Sequence, residues 1–134
     1  MNPIGYWLNR TDQALTAHMN GMLADFGLTR TAWQVLNVVG DTPDARDTDV
    51  HAALAANADG PARTAAIATV LADGWTTRPA PGRLTLTPSG RDRLASVEQR
   101  VAAFRELATA GITLDEYRTA VSVLERMTRN LEVQ

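Results

Sequence analysis

Between Gly60 and Arg91 the chain reads GPARTAAIATVLADGWTTRPAPGRLTLTPSGR. Pro61 suits a first helical position, because its φ is preset and its missing N–H would be unpaired there anyway. Ile67, Val70, Leu71 and Trp75 recur at helical spacing, which predicts a helix over 61–73 with one apolar face. The other face carries Arg63, Thr64 and small Ala residues. Gly74 stands where such a helix stops, since glycine enters the left-handed conformation without a Cβ clash. Two β-prone runs follow, 75–78 and 83–87, joined by Pro79-Ala80-Pro81-Gly82, which predicts a hairpin with an Arg at the base of each strand.

Upstream, residues 4–26 read as one long helix, with Ile4, Leu8, Leu15, Met19, Met22, Leu23 and Phe26 on a broad face and Gly27 at its end. At ~1.5 Å per residue it is ~35 Å long, more than one small domain needs. Thr29 or Thr31 can cap a second helix running through Val39, with Trp33, Leu36 and Val39 inward. The run 40–47 is polar and reads as a loop. Asp47 or Thr48 can cap a third helix, about 48–57, that turns Val50, Ala53 and Leu54 inward. The turn Asn57-Ala58-Asp59-Gly60 then has the length and polarity of the link inside a helix-turn-helix. With the hairpin behind it, the outline is a winged helix-turn-helix: small side chains let a helix approach a groove wall, and the hairpin reaches phosphate beside it.

Downstream, Pro88 starts a helix to about Ala110, whose Leu94, Val97, Val101, Phe104 and Ala108 make a coiled-coil-like seam. Gly111 breaks it, and Thr113-Leu114-Asp115-Glu116 matches a capping box. The last helix offers Leu114, Tyr117, Val121, Leu124, Met127 and Leu131 for burial. The chain therefore reads as mainly α, a single domain over 1–134. Residues 1–27 and 88–134 are its dimerisation helices, and 28–87 its winged-helix lobe with one short β-hairpin wing. Long apolar faces at both ends predict a homodimer.

With 134 residues the chain suits one domain, and the absence of cysteine excludes disulfides and thiolate metal sites. No apolar run approaches the ~18 residues of a membrane span, and no signal pattern opens the chain; a cytoplasmic protein away from the membrane is expected. The net charge of −2 is unevenly spread. Residues 1–59 hold three Arg against seven Asp, a net of −4, whereas 60–93 hold five Arg against two Asp, a net of +3. Phosphate attraction acts over about 8 Å at physiological salt, so a basic segment can work on an acidic protein. All thirteen basic residues are Arg; forked contacts to phosphate explain this, but a GC-rich genome explains it better. An enzyme is not expected: His18 and His51 lie on different helices, without a metal-ligand spacing, a Gly-rich phosphate loop or a paired nucleophile. No cofactor is implied.

Leu28-Thr29-Arg30-Thr31-Ala32-Trp33-Gln34-Val35-Leu36, Leu71-Ala72-Asp73-Gly74-Trp75, Leu84-Thr85-Leu86-Thr87-Pro88-Ser89-Gly90-Arg91 and Gly111-Ile112-Thr113-Leu114-Asp115-Glu116 occur in the order and spacing of MarR-type transcriptional regulators. The chain resembles that family over nearly its whole length, most specifically in Leu-Thr-x-x-Gly-Arg. The resemblance implies a dimeric winged-helix repressor or activator on a pseudo-palindromic stretch of double-stranded DNA, often relieved by a small aromatic or phenolic molecule. Arg63, Thr64, Arg78, Arg83 and Arg91 are the candidate DNA-contacting residues, Arg63 being placed on the exposed face. Trp7, Arg10, His18, Met19, Met22 and Trp33 would surround an effector, with Trp and Met as adaptable walls and Arg10 or His18 holding a carboxylate or phenol. Their plainer reading is core, dimer interface and satisfied surface. The chain departs from the family in a wing tip trimmed to 79–82, and in having Ala66 about where many relatives place an Arg. The alternative is therefore a ligand- or partner-binding dimer of the same fold with weakened or lost DNA binding.

Overall fold

The computed structural model describes residues 1–132. Four helices, α1 (Ile4–Ala24), α2 (Arg30–Asp41), α3 (Asp47–Ala53) and α4 (Gly60–Ala72), precede strands β1 (Thr76–Thr77) and β2 (Thr85–Leu86). Helices α5 (Pro88–Ala108) and α6 (Leu114–Glu132) follow. This is the winged helix-turn-helix arrangement expected. The chain forms two compact units, Met1–Val101 and a second that begins at Ala102.

Helix α2 is the centre of the first unit and packs on α1, α3, α4 and β2. Its Ala32, Val35, Leu36 and Val39 are buried against a core that includes Leu23, Val50, Ile67, Val70, Trp75, Leu84 and Val97. Each large aliphatic side chain so placed contributes about 1.5–3 kcal/mol. Thr29, not Thr31, caps α2: its hydroxyl accepts the Ala32 N–H at 3.1 Å. Trp33 is only half-buried, because Val35 takes the inward position beside Leu36. Helix α1 ends at Ala24, short of Phe26, and the chain turns through Gly27 at φ 72° with Leu28 N–H bonded back to Leu23.

Neither Asp47 nor Thr48 caps α3. Arg46 occupies that place in an extended conformation, its N–H donating to the Asp49 carboxylate at 2.9 Å. The helix stops at Ala53, four residues short of expectation, where the Asn57 and Ala58 N–H groups both turn back to Leu54. Val50 and Leu54 face inward, but Ala53 is exposed. Asp59 caps α4 through the Ala62 N–H at 2.8 Å, so α4 begins one residue before Pro61. At its far end Gly74 takes φ 79° and Trp75, 1% exposed, folds back to bond Val70.

The hairpin pairs Thr76 with Leu86 and Thr77 with Thr85, shorter than the runs 75–78 and 83–87 suggested. Its outer part pairs elsewhere. Arg83 bridges Arg46, the Leu84 N–H donates to Ala45 at 2.8 Å, and the Asp47 N–H donates to Gly82 at 3.1 Å. The end of the supposed polar loop, with Ala45 buried, is thus a third edge that ties the wing to the start of α3. Thr87 joins wing to α5: its hydroxyl donates to the Gly74 carbonyl at 2.7 Å and accepts the Gly90 N–H at 2.8 Å. Helix α5 ends at Ala108, and its seam is buried at Leu94, Val97 and Val101 but exposed at Ala108.

In the second unit Gly111 turns the chain at φ 76°, and the predicted capping box is formed. The Glu116 N–H donates to the Thr113 hydroxyl at 3.1 Å, and the Thr113 N–H donates to Glu116 at 2.9 Å. The Thr113 N–H, with a smaller contribution from the Thr113 side chain, holds the Glu116 carboxyl below the usual carboxylate range. Leu114, Tyr117, Val121, Met127 and Leu131 are exposed, as are Ile4, Trp7, Leu8 and Leu15 of α1. Their expected burial does not occur within one chain. Among the described residues no helix is long and apolar enough to cross a membrane.

Candidate nucleic-acid interface

On α4 the inward face is Ala66, Ile67 and Val70, so the outward face is Ala62, Thr64, Ala65, Ala68 and Thr69. Thr64 lies where expected. Ala66 is 6% exposed, so it cannot occupy a groove-facing position; Ala65 and Ala68 stand there instead. Short side chains at this face bring the helix backbone close to whatever it meets.

Arg63 is not on the open face. It is half-buried, its Nε donating to His51 Nδ1 at 3.0 Å and its guanidinium to the Ala58 carbonyl. The reason is geometric: one helical turn into α4, Arg63 lies beside the end of α3, and its stem reaches back over the turn. Arg78, at the base of β1, forms a forked pair with Asp47 at 2.8 and 3.0 Å. That bonding raises the Arg78 pKa further, against a smaller lowering by desolvation. Arg83 lies 3.6 Å from Asp44 and is partly exposed. Arg91, in the first turn of α5, is exposed. Arg93, which the sequence leaves open between a phosphate contact and a solvated surface, does neither: it lies 3.8 Å above the Trp75 ring and donates to the Asp73 carbonyl at 3.1 Å. The Trp-then-Arg spacing alone did not signal it, because wing and α5 must first meet.

A cleft of about 570 Å³ opens between the α2–α3 loop and the wing. Asp41, Asp44, Arg83 and Arg91 are among its walls. A smaller one, about 210 Å³, lies between α2 and α5 and also includes Arg91. None of the six effector candidates lines either cleft. Nor does one chain bring all six together: Trp7 and Met22 are fifteen residues apart on α1, ~22 Å at the helical rise. Trp7 packs edge-on against Tyr6 at 5.0 Å, and Arg10 donates to the Tyr6 hydroxyl at 2.9 Å. Further along, Met22 is core and Met19 half-buried, while His18 is exposed. The indole N–H of Trp33 is buried without a protein acceptor. No group of three or more metal-ligating side chains occurs among the described residues.

Comparison with known proteins bears on the fold. No protein-family model matches the sequence, and no curated protein matches it either. Solved structures do. A MarR-family protein of Mycobacterium tuberculosis in complex with DNA is 24% identical, with a TM-score of 0.73, over 95% of this chain and 98% of that one. The same family's protein crystallised with salicylic acid is 25% identical, with a TM-score of 0.66, over 95% and 97% of the two chains. The reduced form of MarR from E. coli is 20% identical, with a TM-score of 0.72, over 95% and 94%. The chain has the winged helix-turn-helix fold of the MarR-family regulators.

Proposed function

We propose that the chain is a MarR-family transcriptional regulator that binds double-stranded DNA as a homodimer and answers to a small aromatic acid or phenol. The observation that carries the reading is α4 itself. It follows α3 through a tight turn, presents a flat outward face of Thr and Ala, and is flanked by a wing tied to α3. In this reading each α4 enters a major groove, with half-sites about one helical turn apart. Thr64 meets base edges; Arg83 and Arg91 meet phosphates; Arg78 supports the wing through Asp47 and joins them at its exposed edge. The exposed apolar faces of α1 and α6 supply the dimer contacts, within the segments 1–27 and 88–134, of which residues 133 and 134 lie outside the described residues. Repression is the direction favoured, with the effector shifting the spacing of the two lobes by its preference for one state.

The effector would lie near Trp33, whose buried N–H has no protein acceptor and is a ready donor, with His18 and Met19 of α1 as its further candidates. Trp7 and Arg10 belong to the other end of α1 and are not part of that site within one chain. No enzymatic role is proposed, and a cytoplasmic location suits a DNA-bound regulator.

Titration of the purified protein against DNA from upstream of its own gene, with scrambled DNA as control, tests the reading. Affinity no higher than for scrambled DNA, across a genome-derived library as well, would overturn it. A second reading, a dimer of this fold with lost DNA binding, is favoured by one observation: Arg63, Arg78 and Arg83 are all engaged by groups of the protein itself.

A further inference from the structure

We propose that His51 sets the reach of Arg63: neutral, it docks the guanidinium against the α3–α4 turn, and protonated, it releases that guanidinium toward DNA. The inference rests on the DNA-binding reading above and adds a regulated contact to it.

The Arg63–His51 bond specifies a protonation state. An arginine N–H can be given only to a ring nitrogen with a free lone pair, so Nδ1 of His51 is bare and its neutral ring carries the proton on Nε2. The bond joins the last turn of α3 to the first turn of α4, the two helices that make the helix-turn-helix. Docked there, Arg63 is withdrawn from the outward face that Thr64 and Ala65 occupy. Protonation removes the acceptor and sets a second cation about 3 Å from the first, a repulsive contact at any dielectric the site can have.

Other charged groups do not take over the imidazolium. On α3, Asp47 is forked to Arg78 and Asp49 accepts the Arg46 N–H. Before α4, Asp59 accepts the Ala62 N–H. On α2, packed against both, the charged residues are Arg30 and Asp41, at its two ends. None of these bonds to His51. What remains to hold Arg63 is the Ala58 carbonyl, a neutral acceptor. A DNA phosphate is charged and forms the stronger bond. Both results of protonation then act in one direction: a freed guanidinium and an added positive charge at the interface. By linkage, DNA binding draws a proton onto His51, and affinity rises as pH falls.

The test is operator affinity by fluorescence anisotropy at fixed ionic strength, from about pH 8 to about pH 5.5. The intact wild-type protein should bind roughly fivefold or more tightly at the acid end. His51→Gln keeps an acceptor for Arg63 but cannot charge, so its profile should be flat over that range. Arg63→Ala should lose most of the acid gain. A His51→Gln profile that matches wild type, or wild-type affinity that falls on acidification, overturns the proposal. Failure to bind any DNA at any pH sinks the regulator reading instead. The docked state can then still be judged by nitrogen NMR of the free protein. The neutral His51 ring should be the Nε2–H tautomer, with an Nδ1 shift that moves in Arg63→Ala; an Nδ1–H tautomer refutes the docking.

Discussion

Substituting Gly90 by Ala should destabilise the protein, although alanine is the better helix former. A Cβ built on Gly90 would lie 2.0 Å from the Trp75 carbonyl oxygen, 2.8 Å from its carbon and 3.0 Å from the Thr87 hydroxyl. Ordinary carbon–oxygen contact is over an ångström longer than the first of these, and the obstacle is backbone, which cannot rotate aside. Helix α5 must therefore move off the wing. Overpacking of this kind costs about 1–3 kcal/mol. The movement also strains the bonds that Thr87 makes to Gly90 and Gly74, and its backbone bond to Trp75, each worth about 1 kcal/mol. Against this stands a gain of about 1 kcal/mol from helix propensity. The net is a loss of roughly 2–4 kcal/mol, which is large beside a typical domain stability of about 5–15 kcal/mol. Urea unfolding followed by Trp fluorescence, at one protein concentration so that association does not confound the midpoint, reads this directly. A Gly90→Ala protein as stable as wild type, or more stable by the propensity gain, would refute the close-approach argument.

Arg93→Ala should cost about 1–2 kcal/mol in the same assay, because it removes both the stacking on Trp75 and the bond to Asp73; Arg93→Lys should recover only part, and full recovery would deny the planar contact. Arg91→Ala should weaken specific and random DNA alike and reduce the salt slope by about 1, whereas a loss confined to one sequence would contradict a phosphate role. Val121→Asp on the exposed apolar face of α6 should convert a dimer to a monomer in sedimentation velocity; a wild-type protein that is monomeric at micromolar concentration would undo the assembly. The Glu116 cap should depend on pH with a definite sign. Its folded pKa is depressed, so its contribution is complete above the unfolded value of about 4.3 and is lost as pH falls through the lower folded value. Carbon NMR of the Glu116 carboxyl should titrate below a free glutamate, and Thr113→Val should move it back up; a midpoint at or above the free value would exclude the cap.

Much of this architecture is legible along the chain because its causes are local. The Thr113–Glu116 box, the Thr29 cap and the glycine turns at 27, 74 and 111 involve partners within a turn or two of each other. The apolar periods of α2 and α4 likewise answer to neighbours three and four residues away. Helix lengths were less legible: α3 stops early because its end is set by the Leu54 turn, not by the Val50-to-Leu54 period. The site was the least legible part. Arg63, Arg78 and Arg83 are candidate DNA contacts by type and position, but each meets a group that sequence spacing does not bring near. Arg78 finds Asp47 across thirty-one positions, and Arg63 finds His51 across twelve.

The order of the elements, the Thr29 cap of α2 and the capping box of α6 were determined by the chain itself, since short-range hydrogen bonds and side-chain periodicity need no knowledge of the rest. Tertiary structure alone decided that Ala45 and Arg46 become an edge for the wing, that Gly90 must lack a side chain to pass Trp75, and which guanidiniums are held back from solvent. Those outcomes depend on distances between segments far apart in sequence, and such distances exist only once α2 has gathered the other elements around it.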